Sequence, residues 1–124
     1  MKSLVREKIR ELEEKIFKGY SFWMFKGYVA VNKRGVEKII DDIYASLPED
    51  ILEARNYLKK HGVEQSASDK QSKVYEILRD LEILLSKSEV FSYSIVEKEK
   101  FDQINTDLKN SIPDEISQAE KFDK

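Results

Sequence analysis

His61 is the single histidine of this 124-residue chain and could serve as a general base. Its neighbours Lys59, Lys60 and Gly62 instead compose a helix C-terminus, where a cationic imidazole complements the helix dipole, so a structural role is expected. Asp41-Asp42 invites a paired-carboxylate reading, but adjacent residues on a helix do not face each other. A solvated face or a capping contact is the simpler expectation. The chain has no H-E-x-x-H pair and no cysteine, which excludes thiol nucleophiles and cysteine-ligated metals; no cofactor or metal site is predicted. Gly19, Gly27, Gly35 and Gly62 form neither a phosphate loop nor a dinucleotide fingerprint. No serine has a nucleophile-elbow setting, which leaves a small hydrolase as a distant alternative.

One local concentration stands out. Phe17, Tyr20, Phe22, Trp23, Phe25 and Tyr28 fall within one connection and are flanked by Lys18, Lys26, Lys33 and Arg34. Aromatic rings interleaved with basic side chains can stack nucleobases and hold phosphates. They also serve as protein-interface anchors, or cover the core of a small β layer. The candidate binding residues are Tyr20, Phe22, Trp23, Phe25, Lys26, Tyr28, Lys33 and Arg34. An acidic whole-chain pI of about 5.6 weighs against nucleic acid and favours a protein partner.

The elements that would position these residues repeat. Ser46-Leu47-Pro48-Glu49-Asp50-Ile51 matches Ser111-Ile112-Pro113-Asp114-Glu115-Ile116, 65 positions later, without a gap from Val31/Val96 to Tyr57/Phe122. Internal repeats turn one irregular fold into two copies of a unit. Upstream, Val5, Ile9, Leu12 and Ile16 carry the 4-3-4 spacing of an amphipathic helix; Val74, Leu78, Leu81 and Leu85 repeat it 69 positions later. Lys8, Glu14 and Lys15 become Ile77, Ile83 and Leu84, which predicts a central second-copy helix near Val74–Leu85, buried on several sides, and a peripheral first-copy helix. The alternative is that these apolar residues form an exposed oligomer interface.

Each unit continues with an extended segment: Tyr20–Val31, with a tight turn at Lys26-Gly27, and Val90–Val96 as one short strand. Asn32 is a good N-cap for the next helix, and Gly19 a plausible stop for the previous one. Pro48 and Pro113 are each expected to break the chain and open a further helix, with acidic residues in its first turn. Ser68 and Gln71 fit a capping box before the second copy. The fold class expected is mainly α with a minor β component. Two tandem helix–strand–helix–helix repeats, about 3–62 and 71–124 joined by the polar linker 63–70, would pack as one domain with a pseudo-twofold axis.

Charge is distributed unevenly. Through Gly62 there are 13 Lys/Arg against 10 Asp/Glu, and beyond it 9 against 14. The two halves could attract each other or present different faces to partners. The first residues become charged at once, so no signal peptide is expected, and no apolar run approaches the ~18–20 residues of a membrane helix. A cytoplasmic protein with no membrane association is the expectation.

Gly27–Asn32, Ile39–Ile43 and Ala45–Ile51, with Ala54-Arg55 after them, resemble a group of small bacterial proteins labelled ATP-synthase b-subunit-like or ATPase-stalk-like. The resemblance covers Gly27–Arg55, carries no catalytic residue and implies a role in association. This chain departs from that pattern at Lys33 and Arg34, where acidic residues are expected. It departs again at His61-Gly62, where a coiled coil would continue. The function expected is thus a non-enzymatic protein-association module, a scaffold or adaptor, with homo-oligomerisation open. Nucleic-acid binding through 17–34 is the alternative.

Overall fold

The computed structural model describes residues 2–15, 27–64, 70–87 and 89–122. Among them run α1 (Leu4–Glu14), β1 (Tyr28–Asn32), α2 (Lys33–Lys60), α3 (Lys70–Ser86), β2 (Glu89–Val90), β3 (Tyr93–Glu97), α4 (Lys98–Asn110) and α5 (Asp114–Phe122). The chain is mainly helical with a small antiparallel sheet, as its composition and periodicity predict. The expected stop at Gly19, the extended residues Tyr20–Lys26 and the capping box at Ser68 lie outside the described residues.

Single-residue chemistry sets several boundaries. The Ser3 hydroxyl accepts the Arg6 N–H (3.1 Å) and starts α1; the Asn32 side-chain oxygen Oδ1 accepts the Gly35 N–H (2.9 Å) and starts α2. At the far end of α2, Gly62 adopts φ 69°, a left-handed conformation glycine tolerates without a Cβ clash. Val63 N–H then reaches the Leu58 carbonyl (2.9 Å) and Gly62 N–H the Lys59 carbonyl (3.1 Å). This is a Schellman closure, and Val63 packs back onto the core.

Two expectations about the elements fail. Pro48 does not divide α2, which continues through it for 28 residues, whereas Pro113 does stand in a break between α4 and α5. The first segment is therefore helix–strand–helix, without a second helix after the proline. The second strand is not one piece either. Phe91-Ser92 form a two-residue turn that folds β2 onto β3, with Val90 opposite Tyr93 and Glu89 opposite Ser94. Phe91 takes φ 57° at the first turn position, the sign that primed hairpin turns need.

The sheet order is β1-β3-β2. β1 and β3 run antiparallel with Tyr28 opposite Glu97, Ala30 opposite Ile95 and Asn32 opposite Tyr93. The ladder is extended at both ends, where Lys33 N–H donates to the Ser92 carbonyl (3.1 Å) and Lys98 N–H to the Gly27 carbonyl (2.7 Å). Val29, Val31 and Val96 point from one face into the core. Ser94 on that face donates its hydroxyl to the Leu85 carbonyl (2.7 Å), which joins β3 to the end of α3.

Helix α1 lies antiparallel along α2: Ser3 and Val5 meet Asp50, Lys8 meets Asp42, and the Lys15 side chain approaches Gly35. It also reaches α4 and α5 through the Glu13–Lys109 and Arg6–Glu120 ion pairs. Val5, Ile9 and Leu12 are buried on its inner stripe. Fully burying such an aliphatic side chain stabilises by ~1.5–3 kcal/mol. In α3, Val74, Ile77, Leu78, Leu81 and Leu85 are buried. Ile83 is 51% exposed and Leu84 only half-buried, so α3 is not enclosed on every side.

Candidate functional site

Of the residues singled out by type, Tyr20, Phe22, Trp23, Phe25 and Lys26 lie outside the described residues. Tyr28, Lys33 and Arg34 lie at the two ends of β1 and the start of α2. Tyr28 opens β1 opposite Glu97 with its ring partly exposed, and Arg34 is exposed. The Lys33 ammonium is paired with the Glu89 carboxylate across to β2 and with Glu37 (3.6 Å) on its own helix. The hydrogen bond to Glu89 is the main reason its pKa lies above the usual lysine value. Lys33 therefore ties the start of α2 to the β2–β3 hairpin, and its charge is already engaged by two carboxylates.

The other polar candidates resolve into structural contacts. His61 follows α2 directly and forms a three-ring cluster with Tyr57 (ring centroids 4.5 Å) and Phe122 (5.5 Å), joining the ends of α2 and α5. Asp41 is exposed, while Asp42 accepts from Lys8 (3.3 Å) and Lys38 (3.4 Å). Burial pushes the Asp42 carboxyl up, but those two ammonium contacts outweigh it and hold it below the usual carboxylate value. Asp42 is thus engaged by two ammonium groups, while Asp41 faces solvent.

Two buried carboxylates escaped the sequence reading, which assigned Glu49-Asp50 and Asp114-Glu115 to helix starts. Asp50 accepts the Ser3 hydroxyl (2.8 Å) and the Val5 N–H (3.0 Å), so it completes the N-terminal cap of α1 from the middle of α2. Glu115, at the matching position, accepts from Arg55 (3.3 Å) through Oε2, while its buried Oε1 has no hydrogen-bond partner among the described residues. The difference has a local cause. Ser72 stands where Ser3 would, but α3 has already begun at Lys70, so the Val74 N–H falls within reach of its own helix's Lys70 carbonyl.

The exposed apolar surface lies elsewhere. Ile83 and Leu84 on α3 face an open groove shared with Ile104 of α4, rimmed by Asp80, Lys87, Lys100 and Gln103. Phe91, at the tip of the β2–β3 hairpin, is 99% exposed. Holding a non-glycine residue in the left-handed region costs ~1–2 kcal/mol, and its ring recovers none of that by packing within the chain. The signal for the groove was present in the sequence, as the change of Glu14 and Lys15 to Ile83 and Leu84. It points equally to burial or to an interface.

Among the described residues no group of His, Asp and Glu side chains is arranged to hold a metal ion, and no helix is long and apolar enough to cross a membrane. No family model, curated protein or solved structure matches the chain.

Proposed function

We propose that this chain is a non-catalytic protein-association module built from an internal duplication, its two copies packed about a pseudo-twofold axis. The register of β1 on β3 supports the duplication. Ala30 and Ile95, which match at the 65-residue offset, lie opposite each other. Tyr28 meets Glu97 while Asn32 meets Tyr93, so these strand contacts are reciprocal at the 65-residue offset. The Lys33–Ser92 and Lys98–Gly27 hydrogen bonds are reciprocal in the same way.

The single observation that carries the association role is the half-exposed Ile83. At the matching place the first copy has Glu14, as expected of an ordinary solvated helix face. The ATP-synthase b-subunit-like resemblance of Gly27–Arg55 points the same way. Tyr20, Phe22, Trp23, Phe25, Lys26, Tyr28, Lys33 and Arg34 belong to this reading as a second contact region. Trp23→Ala should then weaken partner binding and leave cooperative unfolding in place.

The test is site-specific photocrosslinking in extract of the native host, with the crosslinker at position 83 and, as control, at exposed Leu52 of α2. A discrete protein adduct, either with another chain or with a second copy, is expected at 83 and not at 52. Failure to form any protein adduct at 83 would remove the reading.

A further inference from the structure

The exposed face of α3 has a specific order. Asp80, Ile83, Leu84 and Lys87 follow at i, i+3, i+4 and i+7, one stripe on one side of the helix, and all four line the groove. Their first-copy counterparts are Glu11, Glu14, Lys15 and Lys18. The outer two keep their sign of charge, while the inner two have changed from charged to apolar. The stripe reads acid, apolar, apolar, base. Its midpoint lies between Ile83 and Leu84, with Asp80 and Lys87 equidistant on either side.

That order is complementary to itself when reversed. Two such stripes laid antiparallel about an axis through the midpoint bring Ile83 onto the partner's Leu84. They set Asp80 against the partner's Lys87, and the partner's Asp80 against Lys87. Asp80 and Lys87 make no ion pair among the described residues and are exposed, so both charges are available. Lys100 lies across the groove and holds Glu97 only loosely (3.5 Å), so it adds a second ammonium to the basic end. Ile104 extends the apolar middle onto α4. An isologous contact requires one patch to carry both halves of every interaction, and this one does.

We infer that the α3–α4 face is a homodimerisation surface, whose occupant is a second copy of this chain docked antiparallel on α3. The inference rests on the association role proposed above and names the partner. The charged ends fix the direction, since parallel docking would oppose like charges. The apolar centre supplies the burial.

The test is sedimentation velocity of the full chain over a concentration series. Wild type should show a reversible monomer–dimer equilibrium with a micromolar-range Kd. Ile83→Glu, which restores the first-copy residue type, should be monomeric with an unchanged far-ultraviolet circular dichroism spectrum. Asp80→Lys and Lys87→Asp each place two like-charge contacts in the dimer and should each weaken it by roughly tenfold or more. Mixed in equal amounts, these two variants should form a heterodimer, because each supplies the charges the other needs. The double exchange Asp80→Lys/Lys87→Asp should dimerise again by itself.

A wild-type chain that stays monomeric into the millimolar range overturns the inference. So does a dimer indifferent to Ile83→Glu, or a failure of the two charge variants to rescue each other. If wild type is monomeric but position 83 crosslinks to a different protein, the second copy is the wrong occupant and the association role stands. If it is monomeric and position 83 crosslinks to nothing, both fall.

Discussion

Pro48 lies within the continuous helix α2, whereas Pro113, 65 positions later in a matching context, occupies the gap between α4 and α5. The prolines impose the same restrictions, so the difference comes from what surrounds them. Before Pro48 stand Ala45 and Leu47, both strong helix formers; before Pro113 stand Asn110 and the β-branched Ile112. Pro48 is exposed, so its ring lies on the solvent side of α2 and displaces no core side chain. Pro113 is buried, and its own carbonyl accepts the Ile116 and Ser117 N–H groups that open α5. One proline is tolerated inside a helix and the other serves as a helix start. Local propensity and the packing around each site together decide whether the chain runs straight or bends.

The two segments nevertheless contribute to one core, and the largest effects should test this. Leu12 in α1 and Leu81 in α3 occupy matching positions and are both fully buried. Leu12→Ala and Leu81→Ala should each cost ~2–5 kcal/mol, read from chemical denaturation. A silent Leu12→Ala would mean that α1 contributes little to the core and that the segments are energetically unequal.

Next come the two buried carboxylates. Asp50→Ala leaves the Val5 N–H and the Ser3 hydroxyl without their acceptor, and should cost ~1–3 kcal/mol. Glu115→Gln removes a charge whose Oε1 is already without a partner among the described residues and whose cation, Arg55, is half exposed. It should change stability by less than ~1 kcal/mol. Equal losses at the two positions would show that Glu115 holds the fold as Asp50 does.

A smaller effect separates the prolines. Pro48→Ala should restore an intrahelical hydrogen bond and stabilise by ~1–2 kcal/mol, after allowance for the freer unfolded chain. Pro113→Ala should gain nothing, because its position already lies outside a helix. A stabilising Pro113→Ala would mean that the α4–α5 break is imposed by the proline alone.

These contrasts also show what could be read from the sequence. Asn32 and Gly62 act through their own backbone and side chain, and both elements end where their chemistry says. The apolar stripes of α1 and α2 are periodic, so their buried faces were legible. The passage of α2 through Pro48 was not, because it depends on an exposed site that only the packed structure defines. The Phe91-Ser92 turn carried no warning, since phenylalanine is not a residue that favours positive φ. Ile83 and Leu84 were conspicuous, but periodicity distinguishes an apolar side chain from a polar one, not a core from an interface. The same ambiguity applies to the aromatic residues from Tyr20 to Phe25, none of which falls among the described residues; of the candidate binding residues only Tyr28, Lys33 and Arg34 do.

The smallest expected effect concerns acid, and it sharpens the contrast between α1 and α3. Lys8 of α1 donates to Asp42, whereas the residue matching Lys8 in α3 is Ile77, buried in the core. A cation therefore binds α1 to α2 where an aliphatic side chain secures α3. Because the folded Asp42 carboxyl is held below its unfolded value of 3.8, its contribution is present above that pH. It is lost as pH falls through the lower folded value. Lys8 and Asp42 are partly exposed and Lys38 largely so, so the effect is modest and weakens with salt. Urea midpoints measured through the acidic range should fall more steeply for wild type than for Asp42→Asn, and the difference should shrink in high salt. Ile77→Ala should destabilise at every pH by the same amount, since no ionisable group is removed. Parallel acid curves for wild type and Asp42→Asn would mean that the Lys8–Asp42 contact contributes little to holding α1 on α2.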